Sequence, residues 1–250
     1  MVRKANLQVR EQAITQWVDG VICFCLRHWL ALVLIPLLLF TTAPFLAPVA
    51  MAAGWEKVGF ALYMLYSPFC HQLPQRSWFL FGEKLTYTLA EINQVFPYTD
   101  ALNLRRFVGT PTMGWKVAWS DRMISLYWMV PVWGLVYALL RQWRGTIRPL
   151  PLKVILLALA PLVVDGLTHM ANDALYGVAG GGFRDANAWL AWLTANAFPG
   201  FYAGDQFGAF NWWLRLFTGI LAAWGLAFGY LPWLNTVLHR EENRCCDRVR

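Results

Sequence analysis

Four long apolar runs set the rhythm of this chain, at about residues 30–46, 120–140, 152–176 and 212–234. Each approaches or reaches the roughly 20 residues that a helix needs to cross a bilayer core. Residues 55–69 are apolar too, through Val58, Phe60, Leu62, Met64 and Leu65, but the run is short and Pro68 closes it. The pattern predicts an all-α polytopic bundle of four transmembrane spans plus a re-entrant or interfacial helix, with a fifth span as the rival reading. Two long segments lie between spans, at about 50–119 and 177–211, and both are rich in Trp, Phe and Tyr. Loops of that length are usually functional or disordered, and the aromatic content predicts that they fold as a cap over the bundle. The chain shows no internal repeat and no low-complexity tract.

Composition agrees with the pattern. The 250 residues are 58% hydrophobic and 14% charged, whereas soluble domains are about a quarter charged. One bundle accounts for the length, divided into a basic amphipathic segment (1–29, with Val9, Ile14, Trp17, Val18 and Val21), a transmembrane domain (30–234) and a basic tail (235–250). Trp29, Trp55, Trp119, Trp143, Trp212, Trp213 and Trp233 sit near run ends, where indole rings favour the membrane–water interface.

Charge gives the sidedness. Arg3, Lys4, Arg10 and Arg27 precede the first span. Arg141, Arg144, Arg148 and Lys153 lie between the second and third, and Arg240, Arg244, Arg248 and Arg250 follow the fourth. With four spans these clusters share one side, so the positive-inside rule predicts a multi-pass protein of the cytoplasmic membrane with both termini cytoplasmic. A fifth span would split them. The net charge of +7 then reads as a topology signal and an attraction for anionic lipid. No basic groove with interleaved aromatics and no nucleic-acid motif is present. Ala50-Met51-Ala52 has the form of a signal-peptide cleavage site, but the long charged region before the first run favours a signal anchor or a plain first span.

The third span carries the most informative stretch, Asp165-Gly-Leu-Thr-His169-Met-Ala-Asn-Asp173. Four-residue steps place Asp165, His169 and Asp173 on one helix face, continued by Thr168, Asn172 and Tyr176. The opposite face (Leu159, Val163, Leu167, Met170, Ala174) is free to meet lipid or packed helices, and Gly166 would admit another backbone. Ionisable groups at membrane depth are costly and face a partner, a metal or water. The predicted topology brings further polar residues to the same outer half: Cys70-His71-Gln72, Arg76 and Ser77, then Asp121 and Arg122, then Asn211 and Arg215. A divalent transition metal (zinc, iron or manganese) suits carboxylate–imidazole donors, with His71, Asp121, Asp165, His169 and Asp173 as candidates. Asp165 and Asp173 lie about 12 Å apart along the axis, too far to share one ion. The plainer alternative is an ion-pair network in which arginines hold the carboxylates and fix helix register.

The series Cys70-His71-Gln72-Leu-Pro-Gln-Arg76-Ser77, a polar opening to the next span, Asp165-Gly166-x-Thr168 and Asn211-x-x-x-Arg215-x-x-Thr218-Gly219 resembles a family of prokaryotic polytopic membrane proteins classed as a domain of unknown function. The resemblance covers roughly residues 66–229 and implies a membrane location without an activity. Many members resemble Cys-x-Arg-Cys where this chain has Trp119-Ser120-Asp121-Arg122, so a cysteine-rich zinc or redox site is in doubt. Asp121 and His169 would supply harder ligands instead. Cys70 is the only cysteine predicted on the outer side, which leaves no outer disulfide. Cys23, Cys25, Cys245 and Cys246 fall on the cytoplasmic side, at spacings unlike zinc knuckles.

Four functions compete. The first is a metal-dependent membrane enzyme, with Asp165 or Asp173 as catalytic base and Arg76, Arg122, Arg215 and Asn211 binding a lipid phosphate or other anion. The second is a non-catalytic subunit or assembly factor among partner membrane subunits. Haem-based electron transfer is disfavoured by the carboxylates around His169, and transport by the confinement of charge to one half of the bundle.

Overall fold

A computed structural model describes residues 2–249. The side chains of 2–13 and 246–249 lie outside that description. Arg3, Lys4, Val9, Arg10, Cys246 and Arg248 are among them, and Arg250 is wholly outside it.

Helix α1 (Val2–Arg27) leads into α2 (Trp29–Thr42), which runs through a 3-10 turn into α3 (Leu46–Ala52) and then α4 (Glu56–Tyr66). A small cap domain follows: β1 (Ser77–Leu80), α5 (Leu89–Val95), α6 (Ala101–Arg106), β2 (Gly109–Thr110) and β3 (Gly114–Ser120). Strand β3 passes directly into α7 (Asp121–Met123), a π turn at Ile124–Trp128, and α8 (Met129–Arg144). Then come α9 (Leu152–Tyr176), two short cap helices α10 (Phe183–Ala186) and α11 (Ala188–Leu193), and α12 (Phe210–Val249).

Four helical stretches are long and apolar enough to cross a membrane: Trp29–Ala52, Asp121–Arg144, Leu152–Tyr176 and Phe210–Cys245. These are the four expected spans: the third has the expected bounds, the second runs on to Arg144, and the first and last are longer than expected. The rival fifth span is too short: α4 has 11 residues, about 16 Å of helix against a core of about 30 Å. It folds back on α3, and both pack against β3. Helix α12 is the hub, packed along α8, α9 and α1, while α2 leans on α8. Glycine at 145 (φ +73°) ends α8, and Pro151 opens α9, the usual chemistry of a tight helix–helix connection.

The cap contains a three-stranded antiparallel sheet in the order β1-β3-β2, with Ser77 opposite Ser120 and Phe79 opposite Lys116. Short, Gly-flanked strands inside a helical protein leave little periodicity to read, so the sheet was not expected from the sequence. Its aromatic core joins it to the bundle. Trp119 packs edge-on against Tyr66 and Phe40 and donates from Nε1 to Thr41 O at 3.2 Å. Tyr66 donates to Phe40 O at 2.7 Å. Trp119, Trp29 and Trp212 are therefore buried core residues rather than the interfacial anchors expected above. Trp55, Trp143, Trp213 and Trp233 remain accessible. Trp119 is captured by the aromatic core between cap and bundle, whereas Trp29 packs among the spans with Tyr137, Ala227 and Leu231.

Candidate functional site

Helix α9 turns Asp165, His169 and Asn172 inward, while Val163, Leu167 and Met170 stay more than half exposed. The predicted polar stripe is thus the buried face, although Tyr176 at its end is exposed. Against this face the cap end of the bundle assembles four arginines and four aspartates from five segments. The buried carboxylate of Asp165 accepts from Arg122 Nη2 at 2.8 Å and from Arg184 Nη2 at 2.6 Å. Arg215 on α12 donates from Nε to Asp121 at 2.7 Å and from Nη1 to Asp205 at 2.6 Å. Arg76 donates from Nε to Asp205 at 2.7 Å and grips Asp173 with both terminal nitrogens, at 2.7 and 2.9 Å. Buried charges survive only when paired this way, and fork-shaped guanidiniums suit the purpose.

Two of these groups lie in the cap. Burial alone would raise the Asp205 carboxyl, but the Arg215 and Arg76 guanidiniums outweigh it and hold the group well below the usual carboxylate range. Burial opposes the charge on Arg76, while Asp205 and Asp173 more than restore it.

His169 adds a different element. Its Nε2 lies 3.0 Å from Arg184 Nη2. A guanidinium can only donate, so Nε2 accepts, the ring is neutral, and its proton sits on Nδ1. That Nδ1 is buried without a partner, as are Nε of Arg122 and Nε of Arg184.

A cavity of about 330 Å³ opens beside these donors, between the cap-end portions of α7 and α9 with α12 behind. Its lining joins polar residues, among them His71, Asp121, Arg122, His169, Asp173, Arg76 and Arg215, to the apolar Leu73, Met123, Val163, Leu167 and Met170. Glycine at 166 was expected to admit a second backbone. Instead, an added Cβ there would meet only Arg122 Nη1, at 3.7 Å, and the bare backbone leaves the cavity open. His71 is exposed at the cavity wall, following Cys70 in a turn where Gln72 takes φ +52°. Cys70 is buried; its sulfur accepts from the Ser120 and Gln72 amides at 3.2 and 3.4 Å.

The chain is similar to an uncharacterised protein of Methanocaldococcus jannaschii. The two are 40% identical over 65 residues, which is 24% of this chain and 42% of that relative. The match therefore spans less than half of the relative's length. No family model matches the chain, and no solved structure matches it.

The residues singled out from the sequence converge, with one exception. His71, Asp121, His169, Asp173, Arg76, Arg122 and Arg215 share the cavity wall, and Asp165 lies directly behind Arg122. Asn211 lies off the wall. It is fully buried and donates to Arg184 O at 2.7 Å and Gly204 O at 3.1 Å, so it positions the cap rather than touching the cavity. Among the described residues, no three His, Cys, Asp or Glu side chains group as a metal-holding set. Asp121, Asp165 and Asp173 each hold a guanidinium instead.

Sequence reading missed Arg184 and Asp205. The signal was present, because these two and Asp185 are the only charged residues in 177–211. Asn172, Asn187 and Asn211 fix Arg184 by hydrogen bonds to its backbone.

Proposed function

We propose that this is an integral membrane protein that binds the charged head group of a membrane lipid in the cavity beside α9. The observation that carries the reading is the cavity's mixed lining. Arginine, aspartate and histidine share it with Val163, Leu167 and Met170, which belong to the accessible apolar face of α9. A ligand there would lay acyl chains along Val163, Leu167 and Met170 and present its phosphate to Arg122 and His169. Pockets that combine an apolar wall with a few convergent polar groups are typical ligand sites. Under the positive-inside reading the site belongs to the outer leaflet.

In this reading Asp165 and Asp173 hold arginines in place and remove no proton. A metal-dependent reaction is the second reading. It has in its favour that His71 and His169 share a wall with Asp121 and Asp173, but a metal would have to displace a guanidinium from each carboxylate. The subunit reading draws on the complete pairing of all four carboxylates, which a purely structural network would also show.

Phospholipid retained through purification, measured by native mass spectrometry on wild type and Gly166→Leu, tests the proposal. Roughly one retained lipid in wild type, lost in the variant with the fold intact, is the expected result, because a leucine would occupy the cavity while its Cβ meets Arg122 Nη1 only at van der Waals distance, 3.7 Å. No retained lipid in wild type would sink it. Elemental analysis of wild type and His169→Ala addresses the second reading: near-stoichiometric metal lost with the histidine would put the enzyme first.

A further inference from the structure

The ion pairs at and behind the cavity lining are unevenly shared. At one end Arg122 and Arg184 divide the single carboxylate of Asp165 between them, and the neutral ring of His169 adds no charge. That corner carries an excess positive charge, with three buried N–H groups lacking partners. At the other end three carboxylates, Asp121, Asp173 and Asp205, divide two guanidiniums, Arg76 and Arg215. That end carries an excess negative charge. Its most accessible carboxylate is Asp173, whose side chain is 22% exposed and lines the cavity. Asp205 lies behind Arg76 and Arg215 rather than on the cavity lining and is counted through those two ion pairs; the Asp185 carboxylate holds no guanidinium and accepts from Asn172 Nδ2 and Gly182 N.

We infer that the site is laid out for a zwitterionic head group of the phosphoethanolamine type, with phosphate at Arg122 and His169 and the primary ammonium at Asp173. The inference rests on the lipid reading above. Three features support it. The two ends have opposite excess charge, which a singly anionic head group would leave uncompensated at the aspartate end. His169 and Asp173 are one helical turn apart, about 6 Å along the axis, a separation that a two-carbon phosphoethanolamine bridge can reach. Finally, among the described residues no Trp, Tyr or Phe lines this cavity, in a chain with 15 Trp. Quaternary ammonium groups are recognised by aromatic cages; a primary ammonium needs carboxylate acceptors, which are what the wall offers.

Native mass spectrometry with equimolar phosphatidylethanolamine, phosphatidylcholine and phosphatidylglycerol of identical chains tests it. The expected result is a preference of about tenfold for the ethanolamine lipid over both others. Asp173→Asn, which keeps an acceptor for Arg76, should bring ethanolamine and glycerol lipids to near parity while total bound lipid persists. Asp173→Glu should restore the preference, and circular dichroism checks the fold of both. Equal binding of choline and ethanolamine lipids overturns the primary-ammonium assignment. A lead for phosphatidylglycerol, unchanged in Asp173→Asn, overturns the zwitterion inference and leaves lipid binding standing. No bound lipid of any kind overturns the lipid reading itself.

Discussion

Asp165 is the residue on which most depends at the smallest scale, since two guanidiniums and a histidine corner rest on one carboxylate. Removing one partner of a buried ion pair costs about 3–5 kcal/mol, because the other charge stays buried. Asp165→Ala should therefore lower the thermal midpoint of the purified protein far more than Arg122→Gln, whose side chain is 20% exposed. Equal effects would mean that the two arginines do not share the carboxylate. Lys116 gives a second prediction. It is fully buried on β3, donates to Gln72 O at 2.8 Å and Arg105 O at 2.7 Å, and burial pushes its pKa down to about 7. Between that value and the unfolded lysine's, about 10.4, the unfolded chain binds the extra proton, so stability rises with pH. Below pH 7 both states are protonated and the cost is constant. Thermal midpoints of wild type should climb from pH 7 to 10, and Lys116→Met should lack that rise.

At the scale of elements, the site depends on how closely α12 approaches the π turn at Ile124–Trp128. π turns recur at functional sites, where they re-aim the residues before and after them. Ser125 Oγ on this turn lies 2.9 Å from both Arg122 O and Arg215 O and shares its one proton between them, so one hydroxyl ties together the backbones that carry two site arginines. An added Cβ at Gly219 would sit 2.1 Å from Ser125 Oγ. Gly219→Val should cost about 1–3 kcal/mol in thermal unfolding by overpacking and should weaken lipid retention through Arg122. A variant as stable and as lipid-bound as wild type would show that the approach is slack. The Thr218-Gly219 pair noticed in the sequence thus has a packing reason that no single-helix reading could supply.

For the whole molecule, the ion network is what docks the cap onto the bundle. Arg76 and Asp205 come from the cap, and Asp173 and Arg215 from the spans. Asp205 links both arginines, so Asp205→Ala should speed hydrogen exchange in 177–209 and around Arg76 while α8 and the central part of α9 keep their protection. Uniform loss of protection would mean that cap and bundle unfold as one unit. Because the Asp205 carboxyl is held low, its stabilising contribution is complete above the ordinary carboxylate range and is lost only as pH falls below it. Cap exchange rates, corrected for intrinsic chemistry, should therefore show no loosening from this group between pH 7 and 5.

Much of this was legible in the sequence, for stated physical reasons. A bilayer core demands long apolar helices, so four spans follow from hydropathy. The cost of charge at membrane depth marks Asp165, His169 and Asp173, and the i, i+4 spacing places them on one face. Tertiary structure alone decided the rest. Which arginine meets which aspartate depends on the path of the cap, so Arg184 and Asp205 entered the site from a loop whose sequence has no helical period. Whether a tryptophan anchors at an interface or fills a core depends on what packs against it, so Trp29, Trp119 and Trp212 became core. The role of Gly166 reversed for the same reason: a missing side chain can admit a backbone or leave a cavity, and only the neighbouring helix determines which.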